Sequence, residues 1–344
     1  MAEKFKCDQI SATGAAVACD SVRDIKPFIF EPYLKSVLWG GDKIAAFKGI
    51  AVDRHDIGES WEISGVAGHE SVVAAGADKG TPLHELIDRY RGDLVGKSVY
   101  ERFGNTFPLL VKFIDAKRDL SLQVHPDDAL AMRRHGTMGK TEMWYILDAE
   151  ADARIYAGMR EEIDGSEYER RVADNTILDV VACHTSEKGD LFFLPAGRIH
   201  AIGAGNMLVE IQETSDITYR VYDYGRLDAN GNARELHVEL AKDAIDYKVY
   251  DGLKSSCTPR VNGEAQLVRC SHFDTRLVTV DGECRIDLSA TDSFCVVICI
   301  DGELVMTDDS GAATELRRGL TLLVPAVATS LCFTGKGSVI TATM

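Results

Sequence analysis

Three short stretches of this 344-residue chain carry side chains that together could hold a metal ion. Gln123 and His125 close the apolar run that starts at Leu120, and residues two apart on a strand point to the same face, so the two can converge. Glu142 follows Gly139-Lys140-Thr141 and leads into Met143-Trp144-Tyr145-Ile146-Leu147, which puts a carboxylate where the chain enters the core. An unpaired buried carboxylate is costly, and a cation beside it relieves the cost. A salt bridge to Lys140 would do so more simply. His200 comes after the Pro195-Ala196-Gly197 turn, in a setting of Ala201-Ile202-Gly203 too small and apolar for a solvated loop, where a neutral core histidine would also fit. Two imidazoles, a carboxylate and an amide carbonyl form a hard-to-borderline set that suits zinc with one position open. The two histidines and the carboxylate would also suit non-haem Fe(II), and spacing does not separate the metals.

A second chemical block runs from Leu208 to Arg226, where Glu210, Glu213, Asp216 and Asp223 alternate with Arg220 and Arg226 in an apolar and aromatic frame. A solvated face would not interleave so many Tyr, Ile and Val. Arg220 and Arg226 can grip an anion by forked hydrogen bonds. The structural alternative is an Arg–Asp network through Asp216 and Asp223.

Positioning these groups falls mostly to strands. Residues 1–27 read as a tail or peripheral element before Pro27 and Phe28. Phe28-Ile29-Phe30, Ala51-Val52 and the alternating Ile57–Ser64 follow as strands, and Thr81-Pro82 opens a helix with Thr81 as its cap. After Pro108, short apolar segments (Leu109 to Phe113, Leu120 to Val124, Met143 to Leu147, Arg154 to Tyr156, Leu191 to Leu194) are separated by turn residues. Helical inserts interrupt them at Asp127 to His135 and Glu161 to Arg171, with a further turn over 174–179. Beyond Tyr247 the pattern is strands only. Gly189 to Ala196 and Gly319 to Ala326 both place Pro-Ala six residues after Gly across an apolar strand, which points to two related β-units. Five residues past each proline stand His200 and Ser330, so only the first unit keeps a ligand.

Composition limits the alternatives. With 54 acidic against 38 basic side chains, the formal charge of −16 repels nucleic acid. An anionic substrate would therefore need a local cluster of Lys and Arg. The nine cysteines show no Cys-x-x-Cys pair and read as reduced thiols, with Cys295 and Cys299 on one face of a strand. No segment is apolar for the roughly 18 residues a membrane span needs. The N-terminus has no long signal core, which sets a cytoplasmic expectation.

Taken in order, Leu120 to Pro126, Gly139 to Tyr145, Pro195 to Ala201 and Glu210 to Arg226 resemble the signature blocks of type I phosphomannose isomerases. Trp39-Gly40-Gly41 and Ile57–Ser64 resemble its N-terminal blocks. The resemblance covers about Phe28 to His237. It implies a mainly β fold of two cupin-type (jelly-roll) barrel units with a small helical insert: a catalytic unit over 28–245, and a C-terminal unit over 246–344 without metal. It implies one zinc per chain on Gln123, His125, Glu142 and His200, with Lys112, Ser121 and Lys140 as site residues beside Glu210 and Arg220. The interval from Glu142 to His200 is too short for the extra helical domain of the long eukaryotic form, so the chain resembles the short bacterial form.

The implied reaction interconverts D-mannose 6-phosphate and D-fructose 6-phosphate through a cis-enediol. It needs a Lewis acid and a base of near-neutral effective pKa, for which Lys140 and Glu210 are the candidates. Arg220 suits enediolate or phosphate, and Lys112, Ser121 and Arg226 suit phosphate or hydroxyl contacts. The expected partner is a small sugar phosphate, with the chain a monomer or homodimer. The competing readings are an Fe(II) cupin dioxygenase, which has no need of Gln123 or of a phosphate-sized set of cations, and a non-catalytic sugar-binding cupin, which would be expected to lose ligands.

Overall fold

The computed structural model describes residues 25–227 and 231–344. Most of the expected tail, residues 1–24, lies outside them, as do Cys7 and Cys19. The described chain is built mainly of strands, in three sheets. A seven-stranded sheet runs in the order Lys254–Ser256, Asp190–Leu194, Glu142–Ala149, Asn206–Glu213, Leu109–Ala116, Ile57–Ser64, Tyr33–Gly41. A five-stranded sheet runs Tyr219–Tyr222, Leu122–Val124, His200–Ile202, Arg154–Met159, Val181–Thr185. The C-terminal sheet joins Phe28–Ile29, Thr321–Val324, Cys295–Asp308, Ser330–Thr343, Asp274–Asp287 and Gly263–Arg269, with Ala313–Arg317 paired to Cys295–Asp308. None of the three closes into a hydrogen-bonded barrel among the described residues.

Alternation along three central strands explains the layering. Met143, Tyr145 and Leu147, then Val209 and Ile211, then Val111 and Phe113 point outward into a core shared with Phe273, Leu277, Phe294 and Val296 of the C-terminal sheet. Their neighbours Trp144, Ile146, Leu208 and Ile114 point the other way, into a smaller core with Ile155, Ala157 and Ile202 of the five-stranded sheet. Both faces of the seven-stranded sheet are thus covered, so its central strands read as unbroken apolar runs rather than half-buried ones. The same alternation in the C-terminal sheet sends Cys295, Val297 and Cys299 into one core and Val296 and Ile298 into another.

Several boundaries differ from the sequence reading. Ala51-Val52 lies in a loop, and the helix after Thr81 spans Leu83–Tyr90 with Pro82 at its cap. The inserts form Asp128–His135 and Gly165–Ala173, each capped by an aspartate side chain (Asp127, Asp164), and 174–179 gives way to a 3-10 turn at Ile177–Val180. Short helices Lys43–Lys48, Gly92–Val95, Lys97–Phe103 and Val238–Ala244 were not anticipated, being too short to show a helical period. The chain exchanges strands between its halves. Phe28–Ile29 pairs with Leu322–Leu323, and Lys254–Ser256 pairs with the strand Asp190–Leu194. No helix among the described residues is long and apolar enough to cross a membrane.

Candidate active site

At one end of the smaller core the inward alternation changes from apolar to charged. Glu142, Lys112, Glu210 and Gln212 are the next inward positions on the three central strands, and the register sets Glu210 opposite Lys112 and Gln212 opposite Glu142. Across from them, the five-stranded sheet pairs Gln123 with both His200 and Arg220. Ligand atoms of His125, Glu142 and His200, all buried, lie within 4.8 Å of one another.

The imidazoles are oriented by backbone. His125 Nδ1 is 2.7 Å from the carbonyl oxygen of Ile217, and His200 Nδ1 is 2.8 Å from that of Arg198. Only an N–H can bond a carbonyl, so in the neutral rings that burial favours both Nε2 atoms carry lone pairs, turned toward Glu142. Glu142 Oε1 is 3.1 Å from His200 Nε2 and Oε2 is 3.7 Å from His125 Nε2. Acceptors therefore face acceptors. Lys140 Nζ stands 2.9 Å from Glu142 Oε2, yet neither carboxylate oxygen receives a well-directed hydrogen bond. Burial pushes the Glu142 carboxyl up to about 7 against the pull of Lys140, and burial with Lys140 alongside drives both histidines down, His200 to about 3. Lys140 stands on the His125 side, 3.2 Å from that ring's Nε2, and leaves Glu142 Oε1 against the lone pair of His200 Nε2. A divalent cation between the two Nε2 atoms and the carboxylate would answer all three. Gln123 Nε2 is 3.4 Å from His200 Nε2, and turning its amide would bring the oxygen to the same centre.

Beside this cluster, Lys112 Nζ bonds Glu210 Oε1 at 2.9 Å and Gln212 Oε1 at 2.8 Å, and the Trp144 indole donates to Glu210 Oε2 at 2.8 Å. Burial alone would raise Glu210, but Lys112 and Lys140 outweigh it and hold the carboxyl at about 2. Burial opposes the charge of Lys112 as well, but Glu210 and Glu59 hold its amine up at about 12. Arg220 donates from Nε to Ser121 Oγ at 3.3 Å and from Nη1 to the carbonyl of Glu235 at 2.9 Å. Arg226 goes to Asp223 and to the carbonyl of Asp119, so the Arg–Asp alternative holds for Asp223. Arg234 joins it there, its Nε 2.7 Å from Asp223 Oδ2.

Sequence reasoning missed Gln212, the Trp144 indole, Glu59 and Arg234. Gln212 and Trp144 sit two residues from Glu210 and Glu142, where alternation would have found them, whereas Glu59 stands opposite Ile114 on the neighbouring strand and only the register brings it to Lys112. Nothing in the sequence marked Arg234.

The family description "Phosphomannose isomerase type I, catalytic domain" matches residues 28–158. The chain is 35% identical to a mannose-6-phosphate isomerase of Bacillus subtilis over 81% of its own length and 86% of that protein's. It is 32% identical to one of Streptococcus mutans over 92% and 97%. Among solved structures, the mannose 6-phosphate isomerase from Bacillus subtilis superposes with a TM-score of 0.83 at 31% identity, over 92% of this chain and 99% of that one. A phosphomannose isomerase from Salmonella typhimurium shares the fold at a TM-score of 0.75 and 15% identity, over 92% and 99%.

Proposed function

The chain belongs to the type I phosphomannose isomerase family, and on that premise we propose that it interconverts D-mannose 6-phosphate and D-fructose 6-phosphate through a cis-enediol, with one zinc per chain held by Gln123, His125, Glu142 and His200. The observation that carries this reading is the buried Glu142 carboxylate, which faces two unprotonated Nε2 atoms and receives no well-directed hydrogen bond. When bound there, zinc supplies Lewis-acid polarisation of the sugar's carbonyl and hydroxyl oxygens.

The protein's own groups do the rest. Isomerisation moves a proton between carbon 2 and carbon 1, and the acceptor must lie in the dry end of the core. Glu210, held at about 2 by its lysines, is a weak proton acceptor. Lys140, as the free amine that a cation held on the neighbouring ligands would promote, is therefore the base we favour. Its Nζ lies 3.2 Å from His125 Nε2, against the ligand cluster, and 3.9 Å from Glu210. Glu210 and Lys112 then form a fixed, charge-balanced wall that orients hydroxyls. Arg220, half-buried and hydrogen-bonded to Ser121, is placed to stabilise charge that grows on the enediolate. Among the described residues, Arg226 and Arg234 share the Asp223 carboxylate while Arg220 bonds Ser121 and a backbone carbonyl, a gathering of cationic side chains that suits a phosphate end in a chain of net charge −16. Lys112, committed to Glu210 and Gln212, fits a hydroxyl contact better than a phosphate grip.

For architecture, we propose two cupin-type units, 28–245 and 246–344, that lend each other a strand, with metal in the first only. A second reading, an Fe(II) dioxygenase on the same histidines and Glu142, would leave Gln123 and the arginines without a task.

Metal analysis of the purified protein, with a coupled assay on mannose 6-phosphate before and after chelation and zinc return, tests the reading. Stoichiometric zinc and activity restored by it are expected. Stoichiometric iron with no isomerase activity would overturn it.

A further inference from the structure

The strand Asn206–Glu213 ends where the seven-stranded sheet meets the C-terminal sheet. Glu213 there is 5% exposed and does three things. Its Oε2 accepts the N–H of Thr141 at 2.7 Å, and its own N–H donates to the carbonyl of Thr141 at 3.1 Å. Its Oε1 lies 2.8 Å from Nδ1 of His272, which sits in the turn between Gly263–Arg269 and Asp274–Asp287 of the C-terminal sheet. A side chain of the C-terminal unit thus reaches, through one carboxylate, the amide that stands between Lys140 and Glu142.

The segment is pinned from its other side as well. Asp128 Oδ1 accepts the N–H of Gly139 at 2.8 Å, and the N–H of Lys140 donates to the carbonyl of Pro126 at 3.2 Å. A Cβ at Gly139 would stand 2.6 Å from the backbone of Asp127 and Asp128, so the loop is seated tightly on the helix start. Asp128, Glu213 and His272 bring their ligating atoms within 4.8 Å of one another, so the two anchors meet at the imidazole. The bond to Glu213 raises the His272 pKa against its partial burial, in keeping with a positively charged ring between two carboxylates.

We propose that His272 is a positioning residue of the active site. By fixing Glu213, and through it the Thr141 amide, it sets where Lys140 and Glu142 stand and makes the C-terminal unit a working part of the catalytic machinery. The proposal rests on the roles given above to Lys140 and Glu142. Removing the imidazole bares one oxygen of a buried carboxylate, which then turns to find another partner and draws the Thr141 amide with it. Groups that orient metal ligands from behind are worth about 10 to 100-fold in affinity or activity, and a displacement of about 1 Å in a positioned group costs a similar factor.

His272→Ala and His272→Asn decide it, because the asparagine amide nitrogen occupies nearly the place of Nδ1 and keeps a donor to Glu213. His272→Ala should lower kcat about tenfold with little change in KM. In the metal-free protein, hydrogen exchange across 137–144 should quicken roughly tenfold, as the lost partner of a buried acceptor implies, while the C-terminal strands keep wild-type protection. His272→Asn should recover most of both. Wild-type kcat and exchange in His272→Ala would overturn the proposal. So would exchange that quickens equally throughout the C-terminal sheet, or an asparagine variant no better than the alanine one. Exchange is read without metal or substrate, so an inactive wild-type chain that still shows the local effect would sink the isomerase reading and not the link from His272 to the loop.

Discussion

Segments 189–202 and 319–331 follow the same path through their respective sheets. Each opens on a glycine with positive φ (91° at Gly189, 84° at Gly319), runs an apolar strand into Pro-Ala, turns, and re-enters a strand five residues past the proline. His200 takes that re-entry position in the first and Ser330 in the second. Around His200 the core end holds two lysines, two glutamates and a second histidine, all buried. The neighbouring core of the C-terminal sheet is lined by Val278, Val280, Cys284, Val297, Cys299, Leu331 and Phe333. A strand–turn–strand frame is indifferent to what it carries. Chemistry arises only where buried charges are numerous enough to satisfy one another around a shared centre, since a lone buried charge is too costly to persist.

The largest expected effect removes the charge that calls for a cation. Glu142→Gln keeps the side-chain shape and takes away the anion, so bound metal should fall to a small fraction of one per chain and isomerase activity below detection. Full metal retention would show that the histidines and Gln123 suffice.

Arg220→Lys keeps the charge and loses the forked geometry. If Arg220 meets charge that develops in the transition state, kcat should fall on the order of 100-fold with zinc content unchanged. A rise in KM alone would assign it to uniform phosphate binding.

pH provides a third test of the charged neighbourhood around His200. In the metal-free protein both histidine pKa values are depressed, so their contribution to stability is fully present above about pH 6.5 and is lost as pH falls, for His200 toward about 3. Glu210, also depressed, contributes above about pH 4.3 and loses its part toward about 2. Glu142, raised to about 7, acts in the opposite sense and weakens the fold as pH rises from about 4.3 to about 7. Within this cluster two histidines outweigh one carboxyl, so the cluster's own contribution falls as pH drops below about 6.5, while raised Glu62, Asp115 and His272 act in the opposite sense elsewhere. Thermal midpoints of metal-free protein from pH 7 to 4 should fall more steeply in the wild type than in a His125→Gln, His200→Gln double variant. An unchanged slope would place the acid sensitivity elsewhere.

The smallest effect is an expected absence. Ser330→His restores the missing ligand type to the second frame, yet with an apolar core beside it no zinc above the wild-type stoichiometry should bind. A second zinc would mean that the frame itself, and not the charged neighbourhood, makes the site.

The four ligand candidates and the all-β punctuation could be read from the sequence because both rest on local rules. Gln123 and His125 are two apart at a strand end, Glu142 opens an apolar run, and His200 follows a Gly-strand-Pro-Ala unit. The alternation that turns Lys112, Glu142 and Glu210 inward was also present in the sequence, though hidden because burial on both faces erased the polar half of the pattern. Tertiary structure alone decided which distant residues meet. Register places Lys112 against Glu210 and Gln123 between His200 and Arg220, and the stacking of the sheets brings His272 to Glu213 across their boundary. These pairings span long stretches of chain, and no short window contains both partners. They are settled by which apolar faces cover one another when the sheets stack, and by the cost of leaving any of these buried charges without a neighbour.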